Sequence, residues 1–328
     1  MENQPPLFCI FSPSSDPAFN LAAEEYLFRN YRNKVFFLYI NATSVIVGKH
    51  QNSLAEVDPW FLHEKQIPLF RRLSGGGCVY HDLGNLNFSF HQTVDDPARV
   101  SYAHFNQPVI DVLRDWGIHA ENNSRNDIIV DGKKVSGHAR HVFRNRIMSH
   151  GTLLVNARRD FLSRALQITP GRYTGKAIPS VRSETANLVD FGTRPIEINE
   201  LVKQLCDNRI RLENGVPHEL TQAERQKIET LAREKYATWE WNYGYSPDYT
   251  FQKEEEIDTD RKLSVLLHVA KGTIQAAEMH CTGTALPGLE TFRKALPGTR
   301  HEMETLEKRV ASFFPRHEWA ERIVRCLF

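Results

Sequence analysis

The stretch Arg71-Arg72-Leu73-Ser74-Gly75-Gly76-Gly77-Cys78-Val79-Tyr80-His81-Asp82-Leu83-Gly84-Asn85 sets three consecutive glycines between two arginines and a strand-like apolar segment. Glycine lets successive backbone N–H groups converge on an oxyanion with no side chain in the way, and a neighbouring guanidinium can grip the same group in a fork. A plain turn between two strands is the alternative for such a run. The common nucleotide motifs do not fit. A Walker A loop closes on Lys-Ser/Thr and a dinucleotide fingerprint runs straight into a helix, whereas Cys78-Val79-Tyr80 reads as strand. A nucleotide bound here would lie along a sheet, held by loop amides and basic side chains.

Outward from this stretch, Asp16-Pro17 reads as an N-cap with proline in the first turn, opening a helix through about Tyr31. Val35 to Ile40 and Ser44 to Gly48 read as strands, and Asp58-Pro59 opens a short helix. Further strands are expected at Pro68 to Arg72, Cys78 to His81 and Leu86 to His91, then a helix from Tyr102 to Trp116 ended by Gly117. Asp127 to Val130, a turn at Asp131-Gly132 and a returning strand from Lys133 to His141 form a hairpin, with Met148 to Val155 pairing next. Strands and helices in mixed order predict an α+β fold with mixed, mostly antiparallel sheets.

After the turn cluster Gly244-Tyr245-Ser246-Pro247 comes an acidic run, Glu254-Glu255-Glu256. Two alternating strands follow, Leu263 to Val269 and Thr273 to Met279, and then helices near Leu289 to Leu296, Glu302 to Phe313 and Glu318 to Cys326. The expected division is residues 1–245 as the main domain and 246–328 as a small α+β domain.

The chain has 328 residues, 41% hydrophobic and 25% charged, enough for one large or two ordinary globular domains. A net charge of +1 supplies no global field for nucleic acid or a membrane surface. No apolar run approaches the roughly 20 residues of a membrane span, and cytoplasm is the expected compartment. The cysteines, Cys9, Cys78, Cys206, Cys281 and Cys326, are scattered and odd in number, and read as reduced thiols. Cys78 alone lies beside candidate chemistry.

Lys134-Val135-Ser136-Gly137 is the second constellation. On an extended strand Lys134 and Ser136 share a face, and a lysine turned inward from a sheet is costly unless an anion meets it. A solvated strand lysine is the alternative. Ser149-His150-Gly151-Thr152-Leu153-Leu154 places a histidine at the start of an apolar strand, either a core histidine or a ligand contact. Gly175-Lys176-Ala177-Ile178-Pro179-Ser180-Val181-Arg182-Ser183 is basic and hydroxyl-rich, the composition of a loop that covers phosphates or of an ordinary surface loop.

Together these segments resemble the lipoate-protein ligase A family within the biotin and lipoate ligase fold. The resemblance rests on Arg71 to Asn85, Lys134 to Arg140, His150 to Leu154 and Ser180 to Ser183, and also on Val47-Gly48-Lys49-His50-Gln51-Asn52 and Trp239-Glu240-Trp241-Asn242-Tyr243-Gly244. It spans the chain nearly end to end. One departure is Cys78, where the family pattern has a smaller residue.

The resemblance implies a two-step reaction. Lipoate and ATP give lipoyl-AMP, and an acceptor lysine then takes the lipoyl group. Arg72, the amides of Gly75, Gly76, Gly77, Cys78, Val79 and Tyr80, and Ser180 and Arg182 would hold the nucleotide. Lys134 would be the catalytic clamp between lipoate carboxylate and α-phosphate. Ser74, His81, Ser136, His150 and Gly151 would line the lipoate site. Mg²⁺ is expected with ATP, its ligands unassigned apart from the candidate Asp127. The implied partners are the lipoyl domains of 2-oxoacid dehydrogenase E2 subunits and the glycine cleavage H protein, with no nucleic acid or membrane partner and a monomeric chain.

A competing reading is a lipoyl- or octanoyltransferase of the same fold, using a preformed adenylate or a carrier-bound acyl donor through a cysteine acyl-enzyme. Asn156 to Lys176, where such relatives carry the nucleophile, contains no cysteine. A biotin-ligase-like regulator would add a helix-turn-helix and a basic face, which this chain does not show.

Overall fold

Residues 6–192, 195–315 and 317–328 are described by the structure, a computed structural model. They pack as two compact units. The first takes a segment ending at Lys49, Pro68–Ser163 and Ser180–Ala237, and the second takes His50–Ile67, Arg164–Pro179 and Thr238–Phe328. The single division expected at 245/246 is replaced by an interleaved one. The reason is hydrophobic: the core around Phe251, Leu263, Leu267 and Phe292 also buries Leu54 and packs Trp60 and Tyr173, which draws two upstream segments into the second unit.

In the first unit β1 (Phe8–Phe11) leads to α1 (Pro17–Asn30), where Asp16 accepts the Ala18 N–H at 2.9 Å as its sequence signal requires. β2 (Val35–Ile40) and β3 (Ser44–Val47) are almost entirely buried. The next helix, α2 (Pro59–Glu64), belongs to the second unit and is capped by Asp58 on the amides of Trp60 and Phe61. β4 (Leu69–Arg71) and β5 (Val79–His81) flank β3 in the order β4-β3-β5, so the glycine run connects the two edges of a small sheet.

β6 (Asn85–Thr93) is followed by α3 (Tyr102–Asp115), whose Phe105, Val109 and Leu113 recur at helical spacing and are buried in the core. Gly117, with φ 78°, turns the chain out of it. β7 (Ala120–Asn122), β8 (Ile128–Val130) and β9 (Lys133–Ser136) form an antiparallel sheet, with Asp131 and Gly132 at φ 49° and 75° making the expected tight turn. The expected strand from Lys133 to His141 is two strands. β10 (His138–Phe143) leaves β8 and pairs with β11 (Arg146–Leu154), and the switch falls at Gly137. A Cβ there would sit 3.2 Å from both Cε and Nζ of Lys134, so the missing side chain leaves the lysine its space.

Beyond α4 (Arg159–Ala165) and β12 (Tyr173–Gly175) come α5 (Ile198–Glu213), β13 (Val216–Pro217) and α6 (Gln222–Leu231). Neither α5 nor α6 is assigned from sequence above, although α6 carries a capping box between Thr221 and Glu224. The main sheet runs β10-β11-β6-β2-β1-β13, antiparallel through β2 and parallel beyond it. Its faces pack Phe36, Leu38, Phe88 and Phe90 against Phe105, Leu113 and Leu205.

The second unit is built on an antiparallel sheet of β12, β14 (Tyr249–Asp258), β15 (Arg261–Ala270) and β16 (Thr273–Gly283), with α7 (Leu289–Ala295), α8 (Met303–Phe313) and α9 (His317–Cys326). The acidic run Glu254 to Glu256 lies inside β14 rather than ahead of the strands. Its carboxylates are accommodated by Lys262 across the ladder and by Lys253 and Arg322. The fold is α+β with mixed, mostly antiparallel sheets, as expected. No helix among the described residues is long and apolar enough to cross a membrane.

The Asp82-Leu83-Gly84-Asn85 part of the quoted stretch is structural. Asp82 accepts the amides of Gly84 and Arg158 at 2.9 and 2.8 Å, while the Gly84 carbonyl accepts those of Val155 and Asn156. A Cβ on Gly84 would fall 2.0 Å from the Asn156 carbonyl oxygen. Gly84→Ala should therefore lower stability by roughly 1–3 kcal/mol through overpacking against backbone. Chemical denaturation would measure it, and an unchanged midpoint would show that the turn can relax.

Candidate active site

Arg71 and Arg72 are both buried, and a buried guanidinium must find acceptors. Arg71 donates to the carbonyls of Gly48 and Lys49 at 2.9 and 3.1 Å. Arg72 donates through Nε to Ser74 Oγ at 3.0 Å, through Nη1 to Ile46 O at 3.2 Å, and through Nη2 to Gly75 O and Gly77 O at 2.5 and 2.8 Å. The sequence reading gave Arg72 to the phosphates. The geometry instead makes it the brace of the loop.

That brace has a consequence for the amides. In a trans peptide the N–H of a residue points opposite to the preceding C=O. Turning the Gly75 and Gly77 carbonyls onto Arg72 therefore turns the N–H groups of Gly76 and Cys78 outward. Gly76 takes φ 85° to do so. Packing also demands glycine at 48, where a Cβ would lie 2.2 Å from the Gly76 carbonyl oxygen. The outward Cys78 N–H is met by Ser180 Oγ at 2.8 Å, which stands where an anion's oxygen would be. Arg182, two residues on, is exposed.

β9 and β10 carry Lys134 and Ala139 in the same unit as this loop. Ala139, at the start of β10, lies with its Cβ 3.4 Å from the position a Gly76 Cβ would take, and Gly137 borders the Lys134 ammonium. Nζ of Lys134 forms an ion pair with Asp127 Oδ1 at 2.8 Å, and Asn123 donates to the other carboxylate oxygen at 3.3 Å. The lysine backbone binds Glu184 O and the Ala186 N–H, which brings the Ser180 to Asn187 segment alongside. Val135 faces the core as expected from alternation, while Ser136 is buried with no partner for its hydroxyl among the described residues.

His150 lies on β11 between two partners. Nδ1 meets the Glu24 carboxylate at 2.9 Å and Nε2 meets Ser74 Oγ at 2.6 Å. A continuous chain thus runs Glu24–His150–Ser74–Arg72, joining α1 to the glycine loop. Glu24 also accepts from Tyr39, whose phenol is pushed well above its ordinary pKa, mainly by burial. Sequence reasoning missed Glu24. Its signal was a carboxylate on a helix buried on nearly every side, where a charge needs a partner.

His81 is fixed by Asn41, which donates from Nδ2 to its Nδ1 at 3.0 Å. Asn20 donates to the Asn41 carbonyl oxygen and so sets that amide's orientation. The remaining nitrogen of His81 is buried with no partner among the described residues. An orphaned buried donor costs about 1–3 kcal/mol, and a polar substrate atom would relieve that cost. Burial, then the charges of Arg72 and His150, lower the His81 pKa to about 3. Gly151 has a packing role: a Cβ would lie 2.5 Å from Cζ of Phe88.

Among the described residues no three His, Cys, Asp or Glu side chains gather as a metal site. Asp127, the one candidate ligand, pairs with Lys134, and a single carboxylate of this kind is enough for a magnesium that arrives with nucleotide phosphates and water. All five cysteines are free thiols.

Residues 16–208 match the model of the lipoyl protein ligase A/B catalytic domain. Lipoate-protein ligase 1 of Staphylococcus aureus is 36% identical over 309 residues, covering 94% of this chain and 94% of that protein. The bi-partite lipoate protein ligase of Thermoplasma acidophilum, described together with its E2 lipoyl domain, superposes with a TM-score of 0.63 at 27% identity, over 74% of this chain and 97% of that one. A lipoate-protein ligase A structure bound with ATP gives a TM-score of 0.63 at 28% identity, over 74% and 99%. The chain belongs to the lipoate-protein ligase family.

Burial also lowers His138 to about 3 and His141 to about 4 from the ordinary 6.5. These rings, with His81, are neutral in the folded chain and become cationic more readily when unfolded. Their contribution to stability is full above pH 6.5 and is lost progressively as pH falls towards 4. The thermal midpoint should therefore fall as pH drops below 6.5, with the decline beginning before carboxylates of ordinary value 4.5 titrate appreciably. Calorimetry across that interval checks this, and a flat midpoint would contradict it.

Proposed function

We propose that this chain is an ATP-dependent lipoate-protein ligase that makes lipoyl-AMP and passes the lipoyl group to a lysine of a lipoyl acceptor domain. The observation that carries the reading is Lys134, an ammonium held by Asp127 at 2.8 Å on the strand that precedes β10, whose Ala139 packs at Gly76 of the loop braced by Arg72. In the first step a lipoate carboxylate oxygen attacks the α-phosphorus and pyrophosphate leaves. Lys134 exchanges Asp127 for the substrate oxygens and offsets the charge that builds between them. In the second step the acceptor amine attacks the acyl carbonyl, an amide forms and AMP leaves.

The other residues position the substrates. The outward N–H groups of Gly76 and Cys78 take phosphate oxygens, Ser180 giving way to them at Cys78, and the amides of Gly75, Gly77, Val79 and Tyr80 lie along the same stretch. Arg182 adds charge from the covering segment. The orphaned Nε2 of His81 and hydroxyl of Ser136, with Ser74 and His150, supply polar contacts to the acyl substrate. Holding carboxylate and phosphate in line removes much of the entropic barrier. Magnesium belongs to the ATP complex, and no step is assigned to a metal held by the protein.

The acceptors are lipoyl domains of E2 subunits or the glycine cleavage H protein. The E2 lipoyl domain named with the archaeal relative supports this choice. Work as a monomer in the cytoplasm completes the proposal.

The test is lipoate-dependent pyrophosphate release from ATP, followed by the mass of an added lipoyl domain. Both should appear with the wild type, and Lys134→Ala should cut pyrophosphate release by about a hundredfold or more while the circular dichroism spectrum stays the same. Transfer from supplied lipoyl-AMP without pyrophosphate release would reduce the protein to a transferase. Wild-type release from the variant would remove Lys134 from the mechanism.

A further inference from the structure

The second unit contains a cavity of about 890 Å³ that the reaction above does not use. It is bounded by α2, the segment from Arg164 to Tyr173, and the last two helices. Its walls include Trp60, Phe61 and Tyr173, and its cations include Arg164 and Arg172.

The charges lining it are unevenly paired. Asp58 caps α2, Glu64 pairs with Lys65, Glu307 with His63, and Glu321 with Arg325. Lys253 is committed to Glu255 and to the main-chain oxygens of Arg325 and Phe328. Arg164 and Arg172 have no ion-pair partner among the described residues. Arg164 lies over the Phe61 ring at 5.3 Å, and Arg325 covers Trp60 at 4.6 Å.

Two neutral donors in the same walls are also unspent. The indole nitrogen of Trp60 and the hydroxyl of Tyr173 are buried without a partner among the described residues. Each such group costs about 1–3 kcal/mol unless a ligand or water satisfies it. Aromatic walls and two guanidiniums without an ion-pair partner among the described residues are complementary to a flat anion.

We propose that this cavity is a separate binding site for a small organic anion carrying an aromatic or other flat ring. The guanidiniums of Arg164 and Arg172 take the anionic group, and the rings of Trp60 and Tyr173 line its flat face.

The experiment uses the full chain and anilinonaphthalene sulfonate, whose fluorescence rises on binding, titrated with and without saturating lipoate. Saturable binding of one probe per chain is expected, insensitive to lipoate. It should weaken about tenfold or more in the Arg164→Ala/Arg172→Ala double variant and remain in Arg99→Ala, a charge removed from the first unit. If the double variant fails to fold by circular dichroism, Arg164→Gln/Arg172→Gln is used instead, and Trp60→Phe provides an independent weakening. Displacement by lipoate would assign the probe to the acyl site and overturn the proposal. So would undiminished binding in the arginine variants, or equal affinity for the uncharged N-phenylnaphthylamine.

Discussion

A guanidinium buried among backbone carbonyls is the constraint from which the rest of the site follows. Arg72 is 6% exposed, and burial lowers its pKa from the ordinary guanidinium value, so its N–H groups must all but be filled. The loop fills them with two carbonyls of its own, an arrangement that only a glycine run allows because Gly76 takes φ 85°. Peptide planarity then forces alternate amides to the opposite side. The shape of the triple glycine is set by the arginine behind it, which is part of the fold before it is a source of charge.

The brace is itself held from behind. Arg72 donates to Ser74, Ser74 meets His150, and His150 meets Glu24 on α1, so a helix, a central strand and the loop share one chain of short polar contacts. Breaking one member of a buried charged network leaves another uncompensated, at a cost of about 3–5 kcal/mol. The chain therefore couples α1 and β11 to the glycine loop.

Glycine carries a second kind of information. Gly48, Gly84, Gly137 and Gly151 each stand where a Cβ would strike backbone, a ring or the Lys134 side chain. Gly137 in particular ends one sheet pairing and begins another, and the gap it leaves is what the lysine occupies. Its place in Lys-Val-Ser-Gly is thus both a fold instruction and a condition for the ammonium's position.

Local chemistry was readable directly from the chain. Asp16-Pro17 and Asp58-Pro59 cap their helices, Asp131-Gly132 makes its turn, Val135 points to the core, and the glycine run lies between two strands. These signals act over a few residues, so neighbours suffice to express them. Contacts across 100 residues or more were not readable: the Glu24–His150 contact spans 126 residues and the Ser180–Cys78 contact 102. The entry of Leu54 and Tyr173 into the core of the second unit was hidden in the same way. Periodicity records which side chains are buried, whereas the partner of a buried charge is chosen by packing among distant segments. Arg72 reads in the sequence as a cation beside a glycine run, but its hydrogen bonds were decided when the chain folded around it.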